Sequence, residues 1–143
     1  MALPLDLPSN LDEQHITALK WFDEHSGETI TAAKIREFGE TTTLLVSPAK
    51  GIYKPKYMEY ALSVKQTFKG PYADLEPERR SDGTWLYPYF QENQDPAQRD
   101  KEATNRGLMK CMEDGVPVGV LIQSRPKNQG VAYDVLGLAL VID

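Results

Sequence analysis

Apolar positions along this chain recur with two spacings, one helical and one of period two. Leu11, Ile16, Leu19 and Phe22 fall three to five residues apart, which predicts a helix over residues 11–25 with one face turned to a core. Asn10 or Ser9 caps it, Asp12 or Glu13 completes a capping box, and Gly27 closes it. Thr31, followed by a short helical pattern ending at Phe38 and Gly39, predicts a second helix, and the β-branched run from Thr42 to Val46 predicts a strand.

Further along, Ala61 to Phe68 alternates as a strand does and stops at Gly70-Pro71. Residues 71–84, with Pro71, Pro77 and Asp82-Gly83, read as a loop. In Trp85-Leu86-Tyr87-Pro88-Tyr89-Phe90 the period-two geometry sets Trp85, Tyr87 and Tyr89 on one face and Leu86 and Phe90 on the other, with Pro88 confining the strand to an edge or a bulge. Such a row of rings either lines a cavity for a flat ligand or fills the inside of a closed barrel.

Asp95, Pro96 and Gln98 start a helix that runs to about Asp114, where Gly115 and Pro117 end it; Gly107 weakens its middle. Leu108, Cys111 and Met112 form its inward stripe, and Arg99, Lys101, Arg106 and Lys110 look outward. Two apolar runs, 116–123 and 131–142, are joined by a polar, basic turn over 124–130 and form an antiparallel hairpin. The pattern is α+β. It divides into a helical N-terminal extension (1–40) and a β-rich recognition domain (41–143), and the ending at Asp143 straight after an apolar strand has the look of a cut inside a longer protein.

Composition narrows the chemistry. With 143 residues, 41 % hydrophobic and 26 % charged, the chain has the balance of a globular domain and holds no apolar run long enough to span a bilayer. Cys111 is the single cysteine, so no internal disulfide forms and a reducing cytoplasm is the expected setting. His15 and His25 have no cysteine or second histidine at ligand spacing, so we expect two surface imidazoles, no metal and no cofactor. Phosphate loops, dinucleotide turns, nucleophile elbows and paired-cysteine signatures are all missing, which argues for a binder and against an enzyme.

The formal net charge of −5 hides an uneven distribution: residues 1–48 carry three basic and eight acidic side chains, residues 49–70 five and one. Helix, turn, helix and strand at the N-terminus would suit a winged helix, but that acidic stretch offers few cations to DNA, so it reads as scaffold or docking surface. In the basic segment lysines and tyrosines interleave: Lys50, Tyr53, Lys54, Lys56, Tyr57, Tyr60, Lys65 and Lys69. Lysine neutralises phosphate and an aromatic face stacks on a base, so the combination suits nucleic acid. A solvated loop with its rings turned inward has the same composition.

Lys50-Gly51-Ile52-Tyr53-Lys54-Pro55, Tyr60-Ala61-Leu62-Ser63, Tyr87-Pro88-Tyr89 and Thr104-Asn105-Arg106-Gly107-Leu108-Met109 together resemble the N-terminal region of a bacterial group of HNH restriction endonucleases. The similarity covers roughly residues 45–142, and none of its four motifs is catalytic. It implies the recognition domain of a modification-dependent (type IV-like) enzyme, with an SRA/EVE/PUA-like mixed β pseudobarrel flanked by helices. Such a domain flips 5-methylcytosine or 5-hydroxymethylcytosine out of double-stranded DNA into an aromatic pocket. The resemblance makes Tyr53, Tyr87, Tyr89 and Trp85 the ring candidates and Asn105 an edge reader or helix cap. Lys50, Lys54, Lys56, Lys65 and Arg106 become phosphate contacts. The histidine and asparagine cluster of an HNH nuclease does not occur here, so the activity carried over is binding, with the nuclease expected C-terminally in a parent chain and a homodimer left open. The other readings are a phosphorothioate-DNA reader, a protein-assembly module without a nucleic-acid role, and a small-molecule or nucleotide sensor.

Overall fold

A computed structural model describes residues 7–48, 51–67, 77–88 and 103–142. Helix α1 (Glu13–Glu24) is followed by strand β1 (Thr29–Thr31), helix α2 (Ala32–Thr41), strands β2 (Ile52–Tyr53), β3 (Ser63–Gln66), β4 (Glu78–Arg79) and β5 (Trp85–Leu86), helix α3 (Ala103–Asp114) and strands β6 (Val118–Arg125) and β7 (Ala132–Ala139).

Asp12 caps α1, two or three positions later than expected, because its carboxylate accepts the N–H of Gln14 at 2.8 Å. Gly27 closes the turn behind that helix at φ +86°, as its position suggested. Thr31 caps α2 through the N–H of Lys34. The hairpin also forms as expected, with a single 3₁₀ turn (Lys127–Gln129) at its tip.

β6 and β7 form the centre of a five-stranded sheet of order β1-β7-β6-β3-β2, antiparallel except where β3 runs parallel to β6. Residues 29–31, inside the region set apart as an N-terminal extension, thus supply one edge of the sheet. The class is α+β, as the sequence implies. The sheet is open: among the described strands β1 and β2 are its two edges and do not pair with each other, while β4 and β5 make a separate two-stranded ribbon.

Both faces of the sheet are covered, and each carries its own core. On one face Ile52, Val64, Val118, Val120 and Leu136 pack with Leu108 and Cys111 of α3; on the other Leu121, Tyr133 and Val135 pack with Leu19 and Phe22 of α1 and Ile35 of α2. Where α1 crosses β6 the space is so tight that a Cβ on Gly119 would overlap the Phe22 ring. A bulge in β7, between the pairs Val120↔Gly137 and Leu121↔Val135, leaves Gly137 at φ +107°.

Several expectations change. Residues 42–46 form no strand: Ser63 Oγ donates to the Leu45 carbonyl at 2.7 Å, so this segment lies over β3 through a side chain rather than a ladder. The strand expected over 61–68 spans 63–66, and among the described residues of the aromatic row Trp85 and Leu86 are in a strand while Tyr87 and Pro88 are not. Met112 is 38 % exposed instead of joining the inward stripe. His15 is completely buried, not a surface imidazole, because its place on α1 faces the same interior as Ala18 and Leu19. Tyr89, Phe90, Asp95, Pro96, Gln98, Arg99, Lys101, Lys50 and Lys69 lie outside the described residues.

Candidate nucleic-acid interface

The Lys/Tyr segment occupies the β2 edge of the sheet, where a short strand leads into a turn at 56–57. Period-two geometry splits its side chains between the two faces. Ile52 joins the core under α3, and Tyr53, opposite Ser63, joins the core under α1. Tyr53 is half-buried, and burial pushes its phenol pKa up.

Trp85 and Tyr87 are also half-buried, but they pack against the core on the α3 face. Burial likewise raises the Tyr87 phenol. The structure therefore sets Trp85 and Tyr87 against one core and Tyr53 against the other, on the opposite face. These three rings do not line one socket. Asn105, in the first turn of α3, is fully buried, so its amide is not presented at the surface.

The cations separate in the same way. A Cβ added at Gly107 would stand 3.2 Å from Cδ of Lys54, so the stem of Lys54 crosses α3 next to exposed Arg106. Lys56 is exposed at the turn. Lys65 instead donates from Nζ to the Ser47 carbonyl at 2.8 Å, and desolvation by burial lowers its pKa. Its role is to tie β3 to the preceding loop. Lys110, one turn beyond Arg106, meets the Asp114 carboxylate at 3.5 Å.

One ring was passed over in singling out the site. Tyr57 is 43 % exposed; burial of the remainder raises its phenol pKa, the Tyr53 phenol and the Asp12 carboxylate push the same way, and Thr43 opposes them. The signal for it was present, since Tyr57 stands in the interleaved segment beside Lys56. Thr43 in turn lines an open groove of about 520 Å³ between α1 and residues 42–43, together with Glu13, Gln14, Ile16, Thr17, Lys20 and Thr42.

Among the described residues there is no cluster of three His, Cys, Asp or Glu side chains able to hold a metal ion, and no helix long and apolar enough to cross a membrane. Comparison with protein-family models, curated proteins and solved structures returns no match.

Proposed function

We propose that this chain is a DNA-recognition module that reads a modified base, 5-methylcytosine or 5-hydroxymethylcytosine, extruded from the duplex. The observation that carries the reading is the β2 edge. Tyr57 is 43 % exposed beside exposed Lys56 at the turn that follows β2, and Lys54 and exposed Arg106 lie along the neighbouring helix α3. Rings supply stacking of about 1–3 kcal/mol per base, and the cations supply the salt-dependent affinity that offsets extrusion. The resemblance to restriction-enzyme recognition domains supports the same reading, with a nuclease in the parent chain and work in the cytoplasm. The PUA-like pseudobarrel belongs to this proposal too; an experimental structure with further strands joining β1 to β2 would establish it.

The test is fluorescence anisotropy of the chain against methylated, hydroxymethylated, phosphorothioated and plain duplexes over a salt series. The reading requires tighter binding to modified-base DNA, a steep loss of affinity with salt, and loss of discrimination in Tyr57→Ala with its circular dichroism unchanged. Equal binding to all duplexes, or none, overturns it.

A second reading rests on Met109 and Met112, 42 % and 38 % exposed and one turn apart on α3. They suit a protein-assembly surface, whose affinity would change little with salt.

A further inference from the structure

Resting on the assembly reading, we infer that the exposed face of α3 pairs with the same helix of a second copy of this chain, the two helices running antiparallel about a two-fold axis between Met109 and Lys110. Leu108 and Cys111 turn one side of α3 into the core. At about 3.6 residues per turn, Arg106, Met109 and Glu113 fall together on the other side, and all three are exposed. Met112, also exposed, flanks them. The stripe reads cation, apolar, anion. In an antiparallel pair centred between positions 109 and 110, Arg106 of one copy stands opposite Glu113 of the other, and the two-fold axis makes this contact twice.

The helix dipole supplies a second argument. α3 has no acidic side chain in its first turn and no basic one in its last. Arg106 lies toward its N-terminal end and Glu113 and Asp114 close it, the reverse of the order that the dipole favours. Asp114 is answered within the chain, by the Tyr60 hydroxyl and by Lys110. Among the described residues no ion pair answers Glu113. An antiparallel neighbour brings its N-terminal end and its Arg106 to Glu113, and its C-terminal end to Arg106, so both mismatches are relieved together. A parallel neighbour would set like charge against like charge.

Two helices of three turns bury less than the roughly 1,200 Å² of a standard stable interface, so the association is weak and depends on concentration. The methionines hold the pair, while the rim charges choose the partner and its direction. Arg106 is also a phosphate contact in the DNA reading, so a chain paired through α3 withholds it from a duplex and the two associations compete.

Sedimentation velocity over a concentration series, without DNA, tests the pairing independently of the DNA reading. The parent is expected to pass from monomer to dimer as concentration rises. Arg106→Glu and Glu113→Arg each set like charges at both rim contacts and should weaken association roughly tenfold or more. An equimolar mixture of the two variants should recover it, because each copy then meets its opposite charge. Both positions are exposed, so the circular dichroism should stay unchanged; should one variant fail to fold, the double variant R106E/E113R is expected to pair as the parent does. A dimer that Met109→Ser abolishes but that neither charge reversal nor mixing alters overturns the antiparallel register and leaves the methionine face as an assembly surface. A parent that stays monomeric at every concentration overturns the pairing outright and leaves the assembly reading to a different partner.

Discussion

The Gly107 carbonyl, in the middle of α3, accepts the N–H of Ala61 at 3.2 Å, and one turn later the Cys111 thiol donates to the Ala61 carbonyl at 3.2 Å. Both polar groups of this fully buried peptide are thereby satisfied by one helix. Helix and segment approach so closely that a Cβ on Gly107 would stand 3.0 Å from the Ala61 nitrogen. A glycine that weakens the helix by its propensity is what lets the helix dock.

Gly107→Ala sets those two effects against each other. Alanine favours the helix by about 1 kcal/mol, but here the obstacle is backbone and cannot swing aside, so a net loss of about 1 kcal/mol is expected in urea unfolding. A stabilised variant would show that Ala61 gives way and that the close approach is not required.

Gly119→Ala should cost more, about 1–3 kcal/mol, because its new methyl group meets the fully buried Phe22 ring. Pairing it with Phe22→Leu should recover part of the loss, a non-additivity expected of groups in contact. Strictly additive losses would place the strain elsewhere.

His15 is wholly buried, neither ring nitrogen has a hydrogen-bond partner, and burial lowers its pKa to about 4 despite the nearby Asp12 carboxylate. The unfolded chain takes up this proton near the ordinary value of 6.5, whereas the folded protein refuses it until about 4. Stability is thus lost as pH falls through that window, by up to about 3 kcal/mol from this group. His15→Leu should remove that part of the slope. A parent and variant with parallel pH profiles between 6.5 and 4 would mean that the imidazole finds a partner.

The Cys111 thiol is pushed up to about 12 by burial. At pH 8 the native protein should therefore resist a disulfide reagent such as Ellman's and react in full once denatured. Rapid native labelling would show that α3 detaches readily from Ala61.

Among the lysines, geometry separates phosphate contacts from supports. Lys54→Ala and Arg106→Ala should each lower the slope of log affinity against log salt by about one. Lys65→Met should leave that slope unchanged and lower the melting temperature, since its ammonium holds the Ser47 carbonyl. A slope change from Lys65 would move the interface to the α1 face.

Local signals were enough for the helices and the hairpin. Thr31 as cap, Gly27 as stop, and alternation across 116–123 and 131–142 each act within a few residues of where they stand, while the cap of α1 is Asp12 and not the expected Asn10 or Ser9. The Lys/Tyr segment was likewise legible as a charge pattern. Where those side chains meet was not. Ile52 and Tyr53 differ by one residue and enter different cores, Lys65 and Lys54 differ in what their ammonium groups reach, and His15, whose polarity suggested the surface, is buried with Ala18 and Leu19 on the inward stripe of its helix. Strand order decides these things, because β2 acquires its two faces only when β3 pairs with it and, through β6, with the helices on either side. The β3–β6 pairing joins residues more than fifty positions apart, beyond the reach of any periodicity, and the sheet it helps build sets Tyr53 and Trp85 against different cores.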